Sequence, residues 1–399
     1  MKKTALLFGV LVLLAALLVG CGGEAEEGGE AAEGAEAQAA EEQETEFRIG
    51  IVFDVGGRGD KSFNDSAYRG LRQVAEEYNG YIADDPDDVD YGNRIELKYL
   101  EPKQGGQDRE QLMRVMAEDG YGLIFGVGFA FTDVIGKVAA DFPETHFGLI
   151  DGFIPDLTEE SNITSIAFAE HEGSFLVGAL AGMYVKDMDV ENPKLGYIGG
   201  MDIPLIHKFH GGYMAGAMYV NEDLRAEDMT MAQYIGQDPT AFSDPQTANS
   251  IANSMYNNGA EIIYHAAGAS GTGLFNAAAE LDKWAIGVDS AQGLILSSSD
   301  SAEERAIGEH VLTSMLKRVD QSVFLLSQAY VENGGEVSGG YSTYGLDDDG
   351  VGYAVHEYNE DLVAPYQDEL EEIKQQIIDG EISVPDHDDK LAEWAEQTF

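Results

Sequence analysis

Cysteine is almost absent: the 399-residue chain has one, Cys21, so no disulfide can form within it and its stability has to come from packing. Basic residues are scarce too, 23 Lys and Arg against 73 Asp and Glu, for a formal charge of −50. A field of that sign repels phosphate backbones and anionic headgroups, which argues against a nucleic-acid partner. A run long enough to span a membrane is missing, because the apolar stretch Ala5 to Gly20 has sixteen residues where a spanning helix needs about 20. Catalytic signatures are missing as well. There is no Gly-x-x-x-x-Gly-Lys-Ser/Thr phosphate loop, no His-Glu-x-x-His and no Gly-x-Ser-x-Gly elbow. Asp347-Asp348-Asp349-Gly350 lacks the spaced ligands and closing Glu of a calcium loop and reads as a capped turn. The eight histidines show no metal-ligand spacing, so neither a metal nor another cofactor is expected, and nothing in the chain points to a reaction.

What is there begins with acid, spread along the whole chain. Residues 24–46 hold ten Glu and no base, yet without them and Lys2 and Lys3 the body 47–399 still carries 63 acids against 21 bases. The screening length shortens to about 3 Å at 1 M salt, so such self-repulsion is tolerable in brine and destabilising in dilute buffer. The surface reads as that of a halophile.

Lys2 and Lys3 ahead of Ala5–Gly20 read as a secretory signal peptide over residues 1–20. The sequence Leu18-Val19-Gly20-Cys21 is similar to a bacterial lipobox, which implies a lipid on Cys21 and a chain anchored to the cell membrane, facing the periplasm or the extracellular space. No twin arginine is present, so export of the unfolded chain is expected. Past Cys21, residues 22–46 are Gly, Ala, Glu and Gln apart from Thr45, with only alanine as apolar content, too little to repay ordering, and residues 21–46 read as an acidic disordered tether.

From Phe47 onward short apolar runs alternate with amphipathic stretches. Strands are expected at Phe47–Asp54, Arg94–Leu100, Gly122–Val127, His146–Ile150, Ile163–Phe168, Lys194–Ile198, Met229–Ile235, Glu261–His265 and Trp284–Val288. Helical patterns fill most of the intervals: Asn64–Tyr78, Asp108–Glu118, Thr132–Asp141, Glu172–Lys186, Ile206–Val220, Asp244–Asn257 and Leu274–Leu281. That alternation predicts an α/β fold of parallel βαβ units, with nine strands dividing into two sheets. Ser297–Glu309 reads as an insertion ahead of a helix pattern, Val311–Tyr330, that carries Lys317.

In open α/β sheets ligands bind beyond the carboxyl ends of the strands, and here those ends are rich in chemistry. Asp54 is followed by Gly56, Gly57, Asp60, Phe63 and Asn64; later turns carry Gly128-Phe129-Ala130-Phe131, Phe242-Ser243-Asp244-Pro245, Gly268 and Asp289-Ser290. Acids, aromatics and glycines converging in this way suit a small, neutral, hydroxyl-rich and partly flat molecule. From pattern alone Phe63 and Phe242 fit a core as well as a cleft, and Asp54 and Asp289 fit helix caps.

Eight segments in order resemble the basic membrane protein family of substrate-binding lipoproteins, also called the purine nucleoside receptor family. They are Asp54 through Asn64; Glu170-His171-Glu172-Gly173-Ser174-Phe175-Leu176; Gly199-Gly200-Met201 to Pro204 and Phe209; Gly212-Tyr213-Met214-Ala215-Gly216; Phe242 through Pro245; His265-Ala266-Ala267-Gly268; Gly287-Val288-Asp289-Ser290; and Val311 through Asp320. The resemblance implies a type I periplasmic-binding-protein fold, with two Rossmann-like lobes joined by a three-segment hinge. It implies delivery of inosine, guanosine or adenosine to the permease subunits of an ABC transporter by a monomer that is not an enzyme. It assigns Phe63 and Phe242 to the faces of the base, Asp54 and Asn64 to its edge, and Asp289, Lys317 and Gly268 to the ribose; Phe129 and Phe131 are expected to line the cleft from the first lobe, and Glu172 to stand at the hinge or a helix start. The lobes are expected at 47–168 with about 296–333, and at 169–295 with about 334–399. The alternatives are a receptor for a sugar or another small polar metabolite, and a nucleoside-hydrolysing lipoprotein.

The charge reading generates a direct expectation: thermal unfolding of the protein moves to higher temperature as KCl rises from 0.1 to 2 M, by well over the few degrees seen for a charge-balanced domain. A midpoint that ignores salt removes the halophile reading.

Overall fold

A computed structural model describes residues 45–188, 190–226 and 228–399. The expected signal peptide, the lipidation residue Cys21 and the tether up to residue 44 lie outside the described residues. Glu46, placed in the tether by sequence, already belongs to the folded body: its N–H donates to the Arg94 carbonyl at 2.8 Å and its carboxylate pairs with the Arg94 guanidinium at 2.9 Å.

The strands are β1 (Phe47–Val52), β2 (Gly80–Ile82), β3 (Ile95–Leu100), β4 (Leu123–Val127), β5 (His146–Ile150), β6 (Ile163–Phe168), β7 (Lys194–Met201), β8 (Thr230–Gly236), β9 (Ala260–Ala266), β10 (Trp284–Asp289), β11 (Val311–Lys317), β12 (Gly340–Tyr344) and β13 (Val351–Tyr353). The helices are α1 (Phe63–Glu77), α2 (Arg109–Glu118), α3 (Thr132–Asp141), α4 (Glu170–Asp187), α5 (Pro204–Val220), α6 (Pro245–Asn257), α7 (Gly271–Leu281), α8 (Gln292–Ser297), α9 (Ala302–Gly308), α10 (Val319–Glu332), α11 (Glu360–Val363), α12 (Gln367–Ile378) and α13 (Leu391–Thr398). They build two sheets, ordered β12-β6-β5-β4-β1-β3-β2 and β13-β11-β10-β9-β7-β8. Every pairing within them is parallel except β11 with β13. Strands β4, β5 and β9 are buried from end to end, as expected where helices cover both faces of a parallel sheet. Edge strand β8 is half-exposed and carries Gln233 outward. This is the two-lobed α/β architecture that the alternation of strands and helices predicts.

Two expectations about the last third need correction. Ser297–Glu309 is not an insertion: α8 and α9 form the crossover between the adjacent parallel strands β10 and β11, a connection that geometry requires to be a dozen residues or more. Lys317 is not on a helix: Val311–Lys317 is a strand, and the helix starts at Val319. The lobe boundaries shift accordingly. Strand β11 belongs to the second sheet and β12 to the first, so the chain crosses between lobes at 168–170, 317–319 and 344–351 rather than near 296 and 334.

The crossings are fastened to one another. The Glu172 carboxylate accepts the Leu346 N–H at 3.0 Å, joining the first crossing to the third. Helix α10 returns to the first lobe, where the Asp320 N–H donates to Ser66 Oγ on α1 at 3.2 Å. The tail covers the second lobe, with Trp394 edge-on to Phe175 at 6.1 Å between centroids.

His146 on β5 is buried, with Nε2 2.8 Å from Thr164 Oγ1, and burial pushes its pKa down to about 4. The unfolded chain therefore takes up a proton between about pH 6.5 and 4 that the fold refuses, so this residue lowers stability as pH falls through that window. We predict that His146→Gln, which keeps a polar atom near Thr164, shows a shallower loss of melting temperature between pH 7 and 4.5 than the wild type; identical slopes would contradict this.

Candidate functional site

The turns after β1, β4, β5, β8, β9, β10 and β11 meet at one cleft between the lobes. Its walls include Asp54, Asp60, Phe63, Asn64, Phe129, Asp151, Phe209, Phe242, Gly268, Asp289 and Lys317. All eight ligand residues expected from the sequence, Asp54, Phe63, Asn64, Phe129, Phe242, Gly268, Asp289 and Lys317, are among the lining residues. Phe131, grouped with Phe129 in the same turn, is fully buried in the core instead.

The turn after β1 is organised by Asp60. One of its oxygens accepts the N–H groups of Ser62 and Asp65, at 2.9 and 3.1 Å; the other accepts the Asn64 N–H and side-chain amide, at 2.8 and 3.1 Å. It thus satisfies the first turn of α1, whose own preceding residue offers no side-chain cap. Burial and the neighbouring Asp65 push its pKa up, to about 7, against those donors. Asn64 Oδ1 accepts the Asp54 N–H at 3.0 Å, so this amide braces the turn and keeps one N–H for the cleft. Arg109 pairs with Asp54 through Nε and Nη2, both reaching Oδ1, which also accepts the Val55 N–H at 2.7 Å. The net direction for Asp54 is upward because burial outweighs the guanidinium, and Oδ2 is left toward the cleft.

The aromatics come from both lobes. Phe129 and Phe242 meet edge-to-face across the cleft, with centroids 6.4 Å apart. The Phe242 ring rests on the flat backbone of β7, where a Cβ on Gly200 would stand 2.3 Å from it, and Gly268, at φ 55°, passes close to the Phe242 carbonyl. Those contacts account for the glycines in both motifs. Phe63, Phe168 and Phe209 surround the Lys317 ammonium, with centroids 5.2, 5.0 and 5.4 Å away.

Lys317 is the electrostatic centre. Only 1% exposed, its Nζ lies 2.6 Å from Asp151 Oδ2 and 3.0 Å from Glu170 Oε1, while Lys208 holds the second Glu170 oxygen at 2.9 Å. Burial works against the ammonium, but Asp151, Glu170 and Asp289 outweigh it and raise its pKa. Glu170 is driven up by burial and down by Lys317 and Lys208, with a net fall. Asp151 ends higher, at about 6, because burial exceeds the pull of Lys317. Its Oδ1 is buried and has no hydrogen-bond partner. Asp289 sits at φ 64° and accepts from Ser62 Oγ of the other lobe at 2.5 Å; Ser290 Oγ donates to the Ser62 carbonyl at 2.9 Å. These bonds join the two lobes beside the cleft.

Sequence reasoning did not single out Asp151, Glu170, Phe209 or Arg109 as site residues. Asp151 carried the same signal as Asp54 and Asp289, an acid directly after a buried apolar strand, and Glu170 opens the Glu-His-Glu motif. Arg109 had no signal, since only the fold brings α2 to the end of β1.

Comparison with known proteins agrees with this geometry. The profile of a family described as ABC transporter substrate-binding protein PnrA-like, Bmp, matches residues 47–388. The chain is 30% identical to a Lactococcus lactis protein named ABC transporter nucleoside-binding protein BmpA, over 96% of this chain and 99% of that one. It is also 30% identical to an uncharacterised lipoprotein of Pyrococcus abyssi, over 88% and 77% of the two chains. The crystal structure of an ABC transporter solute-binding protein from Aeropyrum pernix superposes with a TM-score of 0.71 at 27% identity, covering 88% of this chain and 97% of that one.

Lys317→Met should destabilise the protein strongly, by about 3–5 kcal/mol, because it leaves Asp151 and Glu170 buried without their cation. Adding Glu170→Gln to that variant should restore part of the loss. Urea unfolding of the two variants measures both effects.

Proposed function

The chain belongs to the PnrA-like family of ABC transporter substrate-binding proteins, and from that premise we propose that it is a lipid-anchored receptor that encloses a purine nucleoside and presents it to a transporter's permease subunits. Solute-binding proteins of this kind work with permeases. The nucleoside, the anchor on Cys21 and the roles of individual residues are the further steps.

One observation carries the ligand reading: the cleft joins an aromatic end to a hydroxyl-binding end. Phe63 and Phe242 offer faces to a flat base, with Phe129 against the second of them. Stacking of that kind contributes about 1–3 kcal/mol per base and tolerates different purines. Asp54 Oδ2 and the free Asn64 N–H supply an acceptor and a donor for the base edge. The ribose end falls to Asp289 Oδ1, the partnerless Asp151 Oδ1 and Lys317, which has one N–H beyond its two carboxylate contacts. Four lining carboxylates, Asp54, Asp60, Asp151 and Asp289, against the single lining lysine Lys317 favour a neutral polyol and oppose a nucleotide phosphate. The name of the L. lactis relative points the same way. Closure would be a hinge motion about the three crossings, with the Ser62–Asp289 contact forming only in the shut state.

Calorimetric titration in molar KCl with inosine, guanosine, adenosine, uridine and ribose tests the reading. The expected result is a purine-nucleoside Kd at or below about 1 µM, or roughly 8 kcal/mol, with ribose silent. The Phe63→Ala, Phe242→Ala double variant should lose at least about 30-fold in affinity, the equivalent of two weak stacking contacts. Binding of ribose alone would assign the site to a sugar, and an unchanged Kd in the double variant would remove the aromatic clamp.

A further inference from the structure

The histidines, expected from their spacing to be unrelated, are brought together by the fold. His207 and His210 stand three residues apart on α5 and so share a face. The segment leading into α13 crosses that face and delivers His387 and Asp388 to it. His207 Nδ1 lies 2.6 Å from Asp388 Oδ1, and His387 Nδ1 lies 3.0 Å from the same oxygen. The two imidazoles stack, with centroids 4.3 Å apart and planes 18° from parallel. His210 Nδ1 stands 3.2 Å from Asp388 Oδ2.

The two contacts to Asp388 Oδ1 do not work as hydrogen bonds. Asp388 Oδ1 is buried and has no hydrogen-bond partner, although two ring nitrogens stand within 3.0 Å of it. His387 Nδ1 accepts the Asp389 N–H at 3.1 Å, so it is the unprotonated nitrogen of its ring and cannot donate to the carboxylate. An acceptor therefore faces an acceptor, an arrangement that a cation between them resolves. His207 shows the complementary feature. Its outer nitrogen, Nε2, is 2.8 Å from Asp202 Oδ1, the carboxylate–imidazole relay that fixes the tautomer of a metal-ligating histidine and leaves the other nitrogen as the ligand. The Tyr234 hydroxyl, 2.8 Å from that ligand nitrogen, lies 3.3 Å from His210 Nδ1 as well, so it has a second partner to turn to.

We propose that His207 Nδ1, His387 Nδ1 and Asp388 Oδ1 form a binding site for a divalent transition metal of the zinc class, with Asp202 and His210 as positioning residues. The three ligand atoms all lie within 4.8 Å of one another. Zinc holds nitrogen and oxygen ligands at about 2.0–2.2 Å, so a tetrahedral site separates them by roughly 3.4 Å; to aim both lone pairs at one ion the His387 ring has to turn out of its stack on His207 and the Asp389 N–H has to release its Nδ1. Two imidazoles and one carboxylate suit zinc, nickel or copper(II), whereas calcium and magnesium take oxygen ligands. The side chains of His207, Asp388 and His387 are 14%, 23% and 26% exposed, which gives an ion access and leaves the fourth position to solvent. The site would clasp the C-terminal segment to α5 in a chain without a disulfide. It would also stiffen the cleft wall, because Leu205, Ile206 and Phe209 of α5 line the cleft. The metal site is independent of which ligand the cleft takes.

The test is calorimetric titration of the EDTA-stripped full chain with zinc chloride in 1 M KCl, where screening suppresses diffuse binding to surface acids. The expected result is saturable binding of one ion per chain with Kd below about 1 µM. His207→Gln and Asp388→Asn should each weaken it at least about 100-fold and abolish the zinc-dependent rise in melting temperature. His310→Gln, outside the cluster, should leave it unchanged. If either ligand variant fails to fold, Asp202→Asn serves instead, with an expected loss of about 10- to 100-fold. Replacing zinc by cobalt(II) adds a spectroscopic check, since visible absorption of a four-coordinate ion should appear in the wild type and vanish with His207→Gln. Absence of one-to-one binding, or one-to-one binding indifferent to these substitutions, overturns the proposal.

Discussion

The structure turns on one buried ammonium. Lys317 ends a strand of the second sheet, Asp151 follows a strand of the first, and Glu170 begins the helix at the first crossing. Their charges meet out of water. Removing a charge from water is expensive, and the expense is recovered only when the partners stand at contact distance with their remaining valences satisfied. That requirement ties the lobes' relative position to the register of two separate sheets. It also explains why the cluster lies at the floor of the cleft. Strand ends are where parallel sheets expose their chemistry, and two such sets of ends facing each other produce a closed, low-dielectric space in which a few charges dominate.

Around that centre the cleft sorts its chemistry by lobe. The first lobe contributes a rigid turn, in which Asp60 gathers four N–H donors and holds Phe63, Asn64 and Asp54 in place. The second contributes Phe242, seated on a glycine of β7, and Asp289, in a left-handed conformation that most side chains avoid. Contacts such as Ser62 to Asp289 exist only when the lobes are together.

The exterior poses the opposite problem. A body with 63 acids and 21 bases repels itself, and no covalent cross-link opposes that repulsion within the chain. Resistance has to come from burial, from the fastened crossings and from local neutralisation. The C-terminal segment, which runs back across α5 beside several acids, is where such neutralisation matters most, and it is also where the histidines collect.

Most of the fold was legible in the sequence because parallel strands covered on both faces are continuous apolar runs, and amphipathic helices between them repeat every three to four residues. The nine expected strands, which are β1 and β3 to β10, and the seven expected helices needed only end adjustments, whereas the short strands β2, β12 and β13 were not expected. The error came at Val311–Lys317, where a buried strand and a buried helix are equally apolar over seven residues and periodicity cannot separate them. That one segment moved two lobe boundaries and turned an apparent insertion into a crossover. At the site, motif order placed eight residues in one cleft, but not their partners.

The sequence by itself determined the elements, the acidic surface, the apolar leader ahead of Cys21 and the residues at the strand ends, because each depends on neighbours a few positions away. Tertiary structure alone decided that Arg109 would meet Asp54, that Asp151 and Glu170 would share Lys317, and that His207 would meet His387. Those pairs join residues 55 to 180 positions apart, and only the packing of sheets against one another fixes which distant charges share a buried space.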